Sequence, residues 1–123
     1  MKKTMIIDGV EYELTPVTKK EPLVLKREIH LEIHPEEFGK MTWDEATTVV
    51  KKLGKGWRLP TITELYIINE SNLNHCFIHN EYWSSAENDS LLAWTFNFNF
   101  GLANSNYKYA AYYVRAVRDA KQQ

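Results

Sequence analysis

The chain has 123 residues, enough for one domain whose core needs no disulfide or metal to hold it. Apolar residues make up 44% and charged residues 25%, which is typical of a soluble globular protein. The formal net charge is -1 and no run of Lys and Arg exceeds two residues. Neither nucleic acid nor an anionic membrane surface is therefore expected as a partner.

The single cysteine, Cys76, excludes an intrachain disulfide and fits a reducing compartment. The first residues resemble a secretion signal, but their apolar run stops at Asp8, far short of a signal core of about 7–15 residues. No stretch approaches the roughly 20 apolar residues that a transmembrane helix needs. We therefore expect a cytoplasmic protein, or a virion-associated one if a phage encodes it, without a signal peptide or membrane insertion.

The N-terminal part predicts strands. Asp8-Gly9 is a strong two-residue turn signal and predicts a hairpin over Met5–Leu14. Residues 15–22 are polar, carry two prolines and predict a connector. The strict alternation at the end of residues 23–34 predicts a half-buried strand.

Two helices are predicted from their N-terminal signals. Thr42 with Glu45, and Thr61 with Glu64, each form the capping-box pattern that opens a helix. Gly54 follows the first helix where a left-handed C-terminal cap is favoured. The apolar stripe of the first helix consists of Trp43, Ala46, Val50 and Leu53, and the second buries Leu65 and Ile68.

The second half predicts an antiparallel sheet. Strands are expected over Tyr82–Ser85, Ala93–Phe100 and Tyr109–Val117, with a turn region beginning at Gly101. The alternation in the second strand places Trp94, Phe96, Phe98 and Phe100 on one face and Thr95, Asn97 and Asn99 on the other. The order of strands, two helices and further strands predicts an α+β fold, with helices packed on the sheet.

Several sequence blocks, in a fixed order, resemble a known family. They are Met41-Thr42-Trp43-Asp44-Glu45-Ala46, Gly56-Trp57-Arg58-Leu59-Pro60-Thr61 with Glu64-Leu65, Tyr82-Trp83-Ser84-Ser85, Ala93-Trp94, Phe100-Gly101, Lys108 and Tyr113-Val114-Arg115-Ala116-Val117-Arg118. These blocks resemble the DUF1566 family, which includes the C-terminal domain of Legionella collagen-like adhesins. They are also similar to the variable proteins of diversity-generating retroelements.

The resemblance implies a C-type-lectin-like fold over residues 41–118. The residue pattern adds an extension of hairpin and strand over residues 1–40, which the resemblance does not cover, and a polar tail, 119–123. Within it, Trp57, Leu59, Trp83 and Trp94 are expected in the core, and Arg58 is expected to point away or pair with a carboxylate. Arg115 and Arg118 are expected in structural ion pairs.

The sequence departs from the family pattern at several positions, and these departures restrict the functions that the resemblance implies. Many relatives carry cysteines at the places that Val50 and Ala116 occupy here, which again fits a reducing setting. The Glu-Pro-Asn loop and Trp-Asn-Asp strand of calcium-dependent sugar binders are missing, so calcium-mediated sugar recognition is not expected. Formylglycine-generating enzymes share the fold but need paired cysteines, and one cysteine excludes that chemistry. No cofactor is expected.

Two clusters offer alternative chemistry. His30, Glu32 and His34 alternate on one strand face, but their spacing of about 7 Å is awkward for one metal ion, and an exposed polar face explains them better. A second cluster, His75, Cys76 and His79, suggests either two zinc ligands or a Cys–His nucleophile pair. Without a second ligand pair or an oxyanion-hole motif, we expect a loop with a partly buried cysteine and no metal site.

The segment from Ala86 to Tyr113 is rich in Asn and Tyr, a combination typical of paratopes because it joins rigid aromatic area to adaptable hydrogen bonding. The predicted ligand-binding residues are Asn88, Asn97, Asn99, Asn104, Asn106, Tyr107, Tyr109 and Tyr112. The alternative is that Asn fills turns and Tyr fills the sheet.

We expect a non-catalytic module of phage or bacterial origin that binds a protein or glycan. The alternatives are a structural protein of a virion or fibre, which would form a homo-oligomer or larger assembly, and a small intracellular regulator or enzyme.

Overall fold

The computed structural model describes residues 3–14 and 29–120, which form an α+β protein. The helices are α1 (Trp43–Lys52) and α2 (Ile62–Glu70), followed by a short 3-10 helix, Asn74–Cys76. The strands are β1 (Lys3–Ile7), β2 (Val10–Leu14), β3 (Leu31–Ile33), β4 (Lys40–Met41), β5 (Glu81–Glu87), β6 (Leu92–Asn97), β7 (Leu102–Tyr107), β8 (Tyr112–Tyr113) and β9 (Val117–Asp119). No helix in these ranges is long and apolar enough to cross a membrane.

Both helices begin at the predicted capping boxes. The Thr42 hydroxyl accepts from the Glu45 amide while the Glu45 carboxylate accepts from the Thr42 amide, and Thr61 and Glu64 repeat the arrangement. Each box satisfies two backbone groups that the start of a helix leaves unpaired. The hydrogen bond from the Thr42 backbone is the main cause that lowers the pKa of Glu45. After α1, Gly54 takes a left-handed φ of 64°, as predicted.

The two helices cover opposite faces of a five-stranded sheet of order β4-β8-β5-β6-β7. Its pairs are antiparallel except that β5 and β8 run parallel. Tyr82 and Trp83 are neighbours on β5 and therefore point to opposite faces. Trp83 packs in one core cluster with Ala46 and Val50 of α1, and Tyr82 in another with Leu65 of α2. The sheet is thus the middle layer between two helices.

A second sheet joins the two halves of the described chain, because β3 pairs antiparallel with β9. Beside it, Arg115 is nearly buried and donates from Nε to the His34 carbonyl at 2.7 Å and from Nη1 to the Cys76 carbonyl at 2.7 Å. Its Nη1 also lies 3.8 Å from the Glu37 carboxylate. Arg118 Nε donates to Glu32 at 2.6 Å. Both arginines are in structural ion pairs, as predicted.

Arg58 follows its prediction as well. It forms two parallel hydrogen bonds to the Glu64 carboxylate, at 2.7 and 2.8 Å, and a third to Asp119 at 2.9 Å. The hydrogen bond to Glu64 is the main cause that raises the pKa of Arg58. Leu59 is buried and Trp57 is partly buried at the edge of the α1 cluster. The contacts of Arg58 thus join the start of α2 to the end of the described chain.

The predicted hairpin is confirmed between β1 and β2, where Asp8 and Gly9 have φ of 51° and 77°, as a type I′ turn requires. Of the strand predicted over residues 23–34, only Leu31–Ile33 is a strand in the described part. The connector predicted at 15–22, residues 23–28 and the last three residues of the predicted tail lie outside the described residues.

Four predictions in the second half are wrong. The region after Gly101 is the strand β7, whose sequence lacks the β-branched residues that signal a strand. The final strand is two short strands, since the chain leaves the main sheet after Tyr113 and pairs with β3 only from Val117. Phe100 was predicted to continue the strand on the face of Trp94, Phe96 and Phe98, but it is 72% exposed, because β6 ends at Asn97 and the chain turns there. The predicted tail begins one residue too early, since Asp119 belongs to β9.

Candidate functional site

The eight residues predicted to bind a ligand lie on or beside the hairpin of β6 and β7, in three groups. Paired residues in the hairpin share a face, and neighbours along a strand point to opposite faces. The groups are Asn104, Asn106 and Tyr112 around one face; Asn97 and Asn99 at the hairpin turn; and Asn88, Tyr107 and Tyr109 at the other end. The two ends of a six-residue strand are about 17 Å apart at roughly 3.3 Å per residue, so the eight residues form no single surface.

The first group is a closed hydrogen-bond network. Tyr112 donates to Asn106 Oδ1 at 2.9 Å, and Asn106 Nδ2 donates to the buried Thr95 hydroxyl at 2.7 Å. Glu81 Oε1 accepts from Asn104 Nδ2 at 2.9 Å and from the Thr95 hydroxyl at 3.2 Å. The groups of Asn106 and Tyr112 are therefore used inside the protein, where they join β5, β6, β7 and β8.

Tyr112 also contributes to the core, since its ring meets that of Trp83 edge to face with centroids 5.1 Å apart. Burial, and then the negative charge of Glu81, raise the pKa of Tyr112. Its hydroxyl accordingly stays protonated at neutral pH and acts as the donor to Asn106. This is a structural role, and it matches the alternative in which Tyr fills the sheet.

The second group shapes the turn between β6 and β7. Asn97 Oδ1 accepts from the backbone amides of Asn99 and Phe100, at 2.8 and 3.2 Å. Gly101, with φ of 70°, donates its amide to the Asn97 carbonyl at 2.7 Å. Asn97 therefore supports the turn, as Asn side chains commonly do, while Asn99 is exposed.

The third group presents its side chains to solvent. The rings of Tyr107 and Tyr109 stack with centroids 5.1 Å apart and planes 13° from parallel, although they are 53% and 74% exposed. Asn88 donates to the Ser105 hydroxyl at 3.1 Å, and Ser105 lies on the same face of β7 as Tyr107. We name Asn88, Ser105, Tyr107 and Tyr109 the tyrosine surface.

The tyrosine surface adjoins further exposed apolar area, because the Leu91 carbonyl accepts from the Lys108 amide and Leu91 is 63% exposed. Sequence reasoning missed Ser105 and Leu91. Ser105 was missed because β7 was not recognised as a strand, so its alternation with Asn104 and Asn106 went unused. An exposed leucine beside Asn and Asp in a turn gives no comparable signal.

The candidate metal ligands are occupied by other contacts. Glu32 pairs with Arg118, and the His34 ring packs against Trp57 with centroids 4.7 Å apart. Within the described residues, no group of three or more His, Cys, Asp or Glu side chains is arranged to hold a metal ion. Glu32 and His34 are both half-buried by these contacts.

Cys76 is exposed, and the prediction of a partly buried cysteine is wrong, because residues 74–76 form a short 3-10 helix on the surface. Its Sγ lies 3.6 Å from His75 Nε2, and His75 Nδ1 contacts the Asn72 carbonyl. An activated Cys–His pair needs a partly enclosed, electropositive setting. The exposed thiol here has a carbonyl, and not a carboxylate, behind the imidazole.

Comparison with known proteins places these observations in a family. No curated protein matches the chain. The family model that matches is described as the Lcl C-terminal domain, and it covers residues 19–118. That range includes both helices, the five-stranded sheet and the tyrosine surface. It also includes β3, which precedes residue 41, and β4, which begins at Lys40, and both pair with strands of the second half. The chain belongs to the Lcl C-terminal domain family, that of the Legionella collagen-like protein.

Proposed function

We propose that this protein is a non-catalytic binding module with a C-type-lectin-like fold, and that it holds a protein or glycan ligand on the tyrosine surface. One observation carries the proposal: two tyrosine rings are stacked on each other yet stay more than half exposed. Large aromatic side chains are normally buried for their area, so an exposed and ordered pair is typical of a contact surface.

The stack supports binding for a physical reason. Each ring limits the motion of the other. The two tyrosine side chains therefore lose little conformational entropy when a ligand binds to them. Asn88 and Ser105 add an amide and a hydroxyl beside the rings, which is the composition of adaptable paratopes. Amide, hydroxyl and phenol groups suit hydrogen bonding and stacking better than proton transfer. We therefore favour binding over catalysis.

The family adds independent support. The Legionella collagen-like protein gives the family its name, and a C-terminal domain of a surface adhesin is expected to contact an external partner. The arrangement of two capped helices on opposite faces of a mostly antiparallel sheet, with an early strand paired to the last, is compatible with a C-type-lectin-like fold. Such folds present their loops and outer strands to ligands, which is where the tyrosine surface lies.

The proposal is tested with printed glycans and purified cell-surface proteins as probes. The double variant Tyr107→Ala/Tyr109→Ala should lose at least about tenfold in affinity for the probe that the wild type binds, because aromatic contact residues dominate binding energy. Phe100→Ala is the matched control: Phe100 is equally exposed but lies at the opposite end of the hairpin, so its loss should change affinity by less than about twofold.

Two outcomes would contradict the proposal. Retained affinity in the double variant would place the ligand elsewhere, and an equal loss in Phe100→Ala would show nonspecific apolar adhesion. Absence of binding to every probe at micromolar wild-type protein would count against a binding module of this class. Near-UV circular dichroism of each variant shows whether the fold survives.

A second candidate function is assembly, favoured by the two edges of the main sheet. Among the described strands, β4 and β7 are the edges. β4 has two residues and carries Lys40, whereas β7 has six residues, Leu102–Tyr107, with neither a charge nor a proline. Proteins commonly protect edge strands with charged residues or proline, which β7 lacks. A second copy of the chain, added antiparallel along β7, would pair with it without opposing like charges.

Sedimentation velocity tests the assembly function. Edge pairing predicts a dimer whose fraction rises with concentration and which Ser105→Lys abolishes, because the two copies would place like charges close together. Ser90→Lys, in the exposed loop before β6, is the matched control and should leave the dimer intact. A wild-type protein that stays monomeric at about 200 μM would exclude assembly through this edge, since a dissociation constant above the millimolar range supports no stable complex.

A further inference from the structure

A cleft of about 270 Å³ lies between α1 and the extended segment 57–59, next to β5. It shares no residue with the tyrosine surface. Its walls are mostly apolar and are formed by Trp43 and Val50 of α1 and by Trp57 and Leu59 of the segment. Clefts that bind drug-sized molecules measure roughly 300–1,000 Å³. This one is therefore suited to a smaller ligand of one or two rings, and it is too small for a peptide or an added helix.

The two indole rings that line the cleft are fixed by other contacts. Trp43 Nε1 donates to the Ser84 carbonyl at 3.0 Å. The Trp57 ring meets His34 edge to face at 4.7 Å. Because neither ring needs to be ordered by the ligand, the apolar walls are preorganised for a flat molecule that packs against indole.

Each of these indoles also has a cation over one face. Lys108 Nζ lies 4.7 Å from the Trp43 ring, and the Arg118 guanidinium lies 4.2 Å from the Trp57 ring. A cation over one face of an indole draws on its negative quadrupole. These two cations therefore add positive potential around the cleft, although each is also paired with an acid, Glu87 and Glu32 respectively.

The charged lining residues of the cleft are both cations, Lys51 and Arg58, and no carboxylate lines it. Arg58 is engaged by Glu64 and Asp119. Lys51, on the last turn of α1, forms no ion pair with any residue that the structure describes. Lys51 therefore supplies an exposed positive charge, without an ion-pair partner among the described residues, beside an apolar cleft, and this favours a ligand that carries a negative charge.

We propose that this cleft is a second binding site, which takes a small planar organic anion, such as an aromatic carboxylate or sulfonate. The ring packs against Trp43 and Trp57, and the anionic group meets Lys51. This site is independent of the proposed ligand of the tyrosine surface, and either can hold if the other fails.

The probe for the test is 2-naphthoate, with 2-naphthalenemethanol as the neutral molecule of the same ring. A ligand of this size is expected to bind with a dissociation constant on the order of 0.1–1 mM. In ¹H–¹⁵N spectra, 2-naphthoate should shift the indole N–H signals of Trp43 and Trp57 in a saturable manner and leave that of the fully buried Trp83 unchanged. The alcohol should bind about fivefold or more weakly, as expected for the loss of one partly exposed charge contact.

The variant Lys51→Gln should weaken 2-naphthoate about fivefold and leave the alcohol unaffected. Lys52→Gln is the matched control, because Lys52 is the next residue of α1, is exposed and does not line the cleft. Ser85→Phe, which places a ring in the cleft from an exposed strand position, should abolish the binding of both molecules.

Several results would overturn the proposal. These are equal affinity of Lys51→Gln and Lys52→Gln for 2-naphthoate, equal affinity of the wild type for the anion and the alcohol, and shifts centred on residues outside the cleft. If Ser85→Phe fails to fold, the comparison of the two lysine variants decides alone. Loss of ligand capture in Tyr107→Ala/Tyr109→Ala with unchanged 2-naphthoate binding would show that the two sites are separate.

Discussion

Arg115 and Tyr109 lie in regions of the molecule that use polar and aromatic side chains in opposite ways. The region around β3 and β9 contains three arginines, at 58, 115 and 118, and all of them contact carboxylates. Every buried side-chain nitrogen and oxygen in the described residues has a hydrogen-bond partner. At the far end of β7, by contrast, the side chains of Tyr107 and Tyr109 contact each other and solvent.

This difference shows that residue type alone does not distinguish structural residues from binding residues. The hydrogen-bond and packing partners of each side chain make that distinction. Asn106 and Asn88 are both asparagines of the same hairpin region. Asn106 is held between Thr95 and Tyr112, whereas Asn88 is exposed and reaches only Ser105. A ligand would have to compete with two internal partners for the half-buried Asn106 side chain, while Asn88 can exchange its contact at little cost.

Of the substitutions that test this comparison, Arg115→Ala is expected to lower the free energy of unfolding most. The substitution leaves the His34 and Cys76 carbonyls without their donor in a nearly buried position. The free energy of unfolding should fall by about 3 kcal/mol or more, as measured by urea denaturation.

Arg118→Ala is the control for that loss. Arg118 and its partner Glu32 are partly exposed, with 30% and 42% of their side chains accessible, so their ion pair should contribute about 1 kcal/mol or less. Equal losses in the two variants would show that burial does not distinguish these arginines, and the contrast between the regions would weaken.

A smaller effect is expected from Glu64→Gln. Burial tends to raise the pKa of Glu64, but hydrogen bonds from Arg58 and Thr61 and the charge of Arg58 outweigh it, so the pKa is lowered below 4.5. A lowered carboxyl pKa stabilises the fold above the unfolded-state pKa, and that stability is lost as the pH falls through the folded-state value. At neutral pH the variant should lose about 1–2 kcal/mol, because the Gln oxygen can still accept from the Thr61 amide, but the charge and one of the two hydrogen bonds from Arg58 are lost.

The pH dependence provides the sharper measurement. Thermal unfolding between pH 7 and pH 3 should show the wild type and Glu64→Gln beginning to converge as the pH falls below about 4.5, where the unfolded-state carboxylate takes up a proton, and converging further as the pH falls through the lower folded-state pKa. Glu70→Gln, at the exposed end of α2, is the matched control and should differ from the wild type by less than about 0.5 kcal/mol at pH 7. A gap for Glu64→Gln that stays constant with pH would contradict the role of its charge.

Sequence alone predicted the parts of the fold that depend on local interactions. The capping boxes at Thr42 and Thr61 use partners three residues away, and the Asp8-Gly9 turn uses its own two residues. These features are encoded within one turn of chain and need no knowledge of the rest of the molecule.

Contacts between residues far apart in the sequence were not predicted. Arg58 was predicted either to point away or to pair with a carboxylate, but one of its partners, Asp119, is 61 residues away and carries no signal in the sequence. β7 is a strand because β6 lies beside it, and its residues have little strand propensity of their own. For the candidate site the consequence was direct: without β7, the two faces of the hairpin were merged into one predicted surface.

The smallest changes in the free energy of unfolding are expected for two asparagine variants, which also test the comparison most closely. Asn106→Ala should lower the free energy of unfolding by about 1–2 kcal/mol, because it leaves the Thr95 and Tyr112 hydroxyls without a shared partner in a partly buried place. Asn88→Ala should change it by less than about 0.5 kcal/mol, since its contact with Ser105 is exposed. Urea denaturation measures both. In binding assays the order should reverse, with Asn88→Ala the more damaging variant. If both variants lose the same stability, the tyrosine surface is as structural as the network behind it, and the division of the hairpin into two faces with different roles fails.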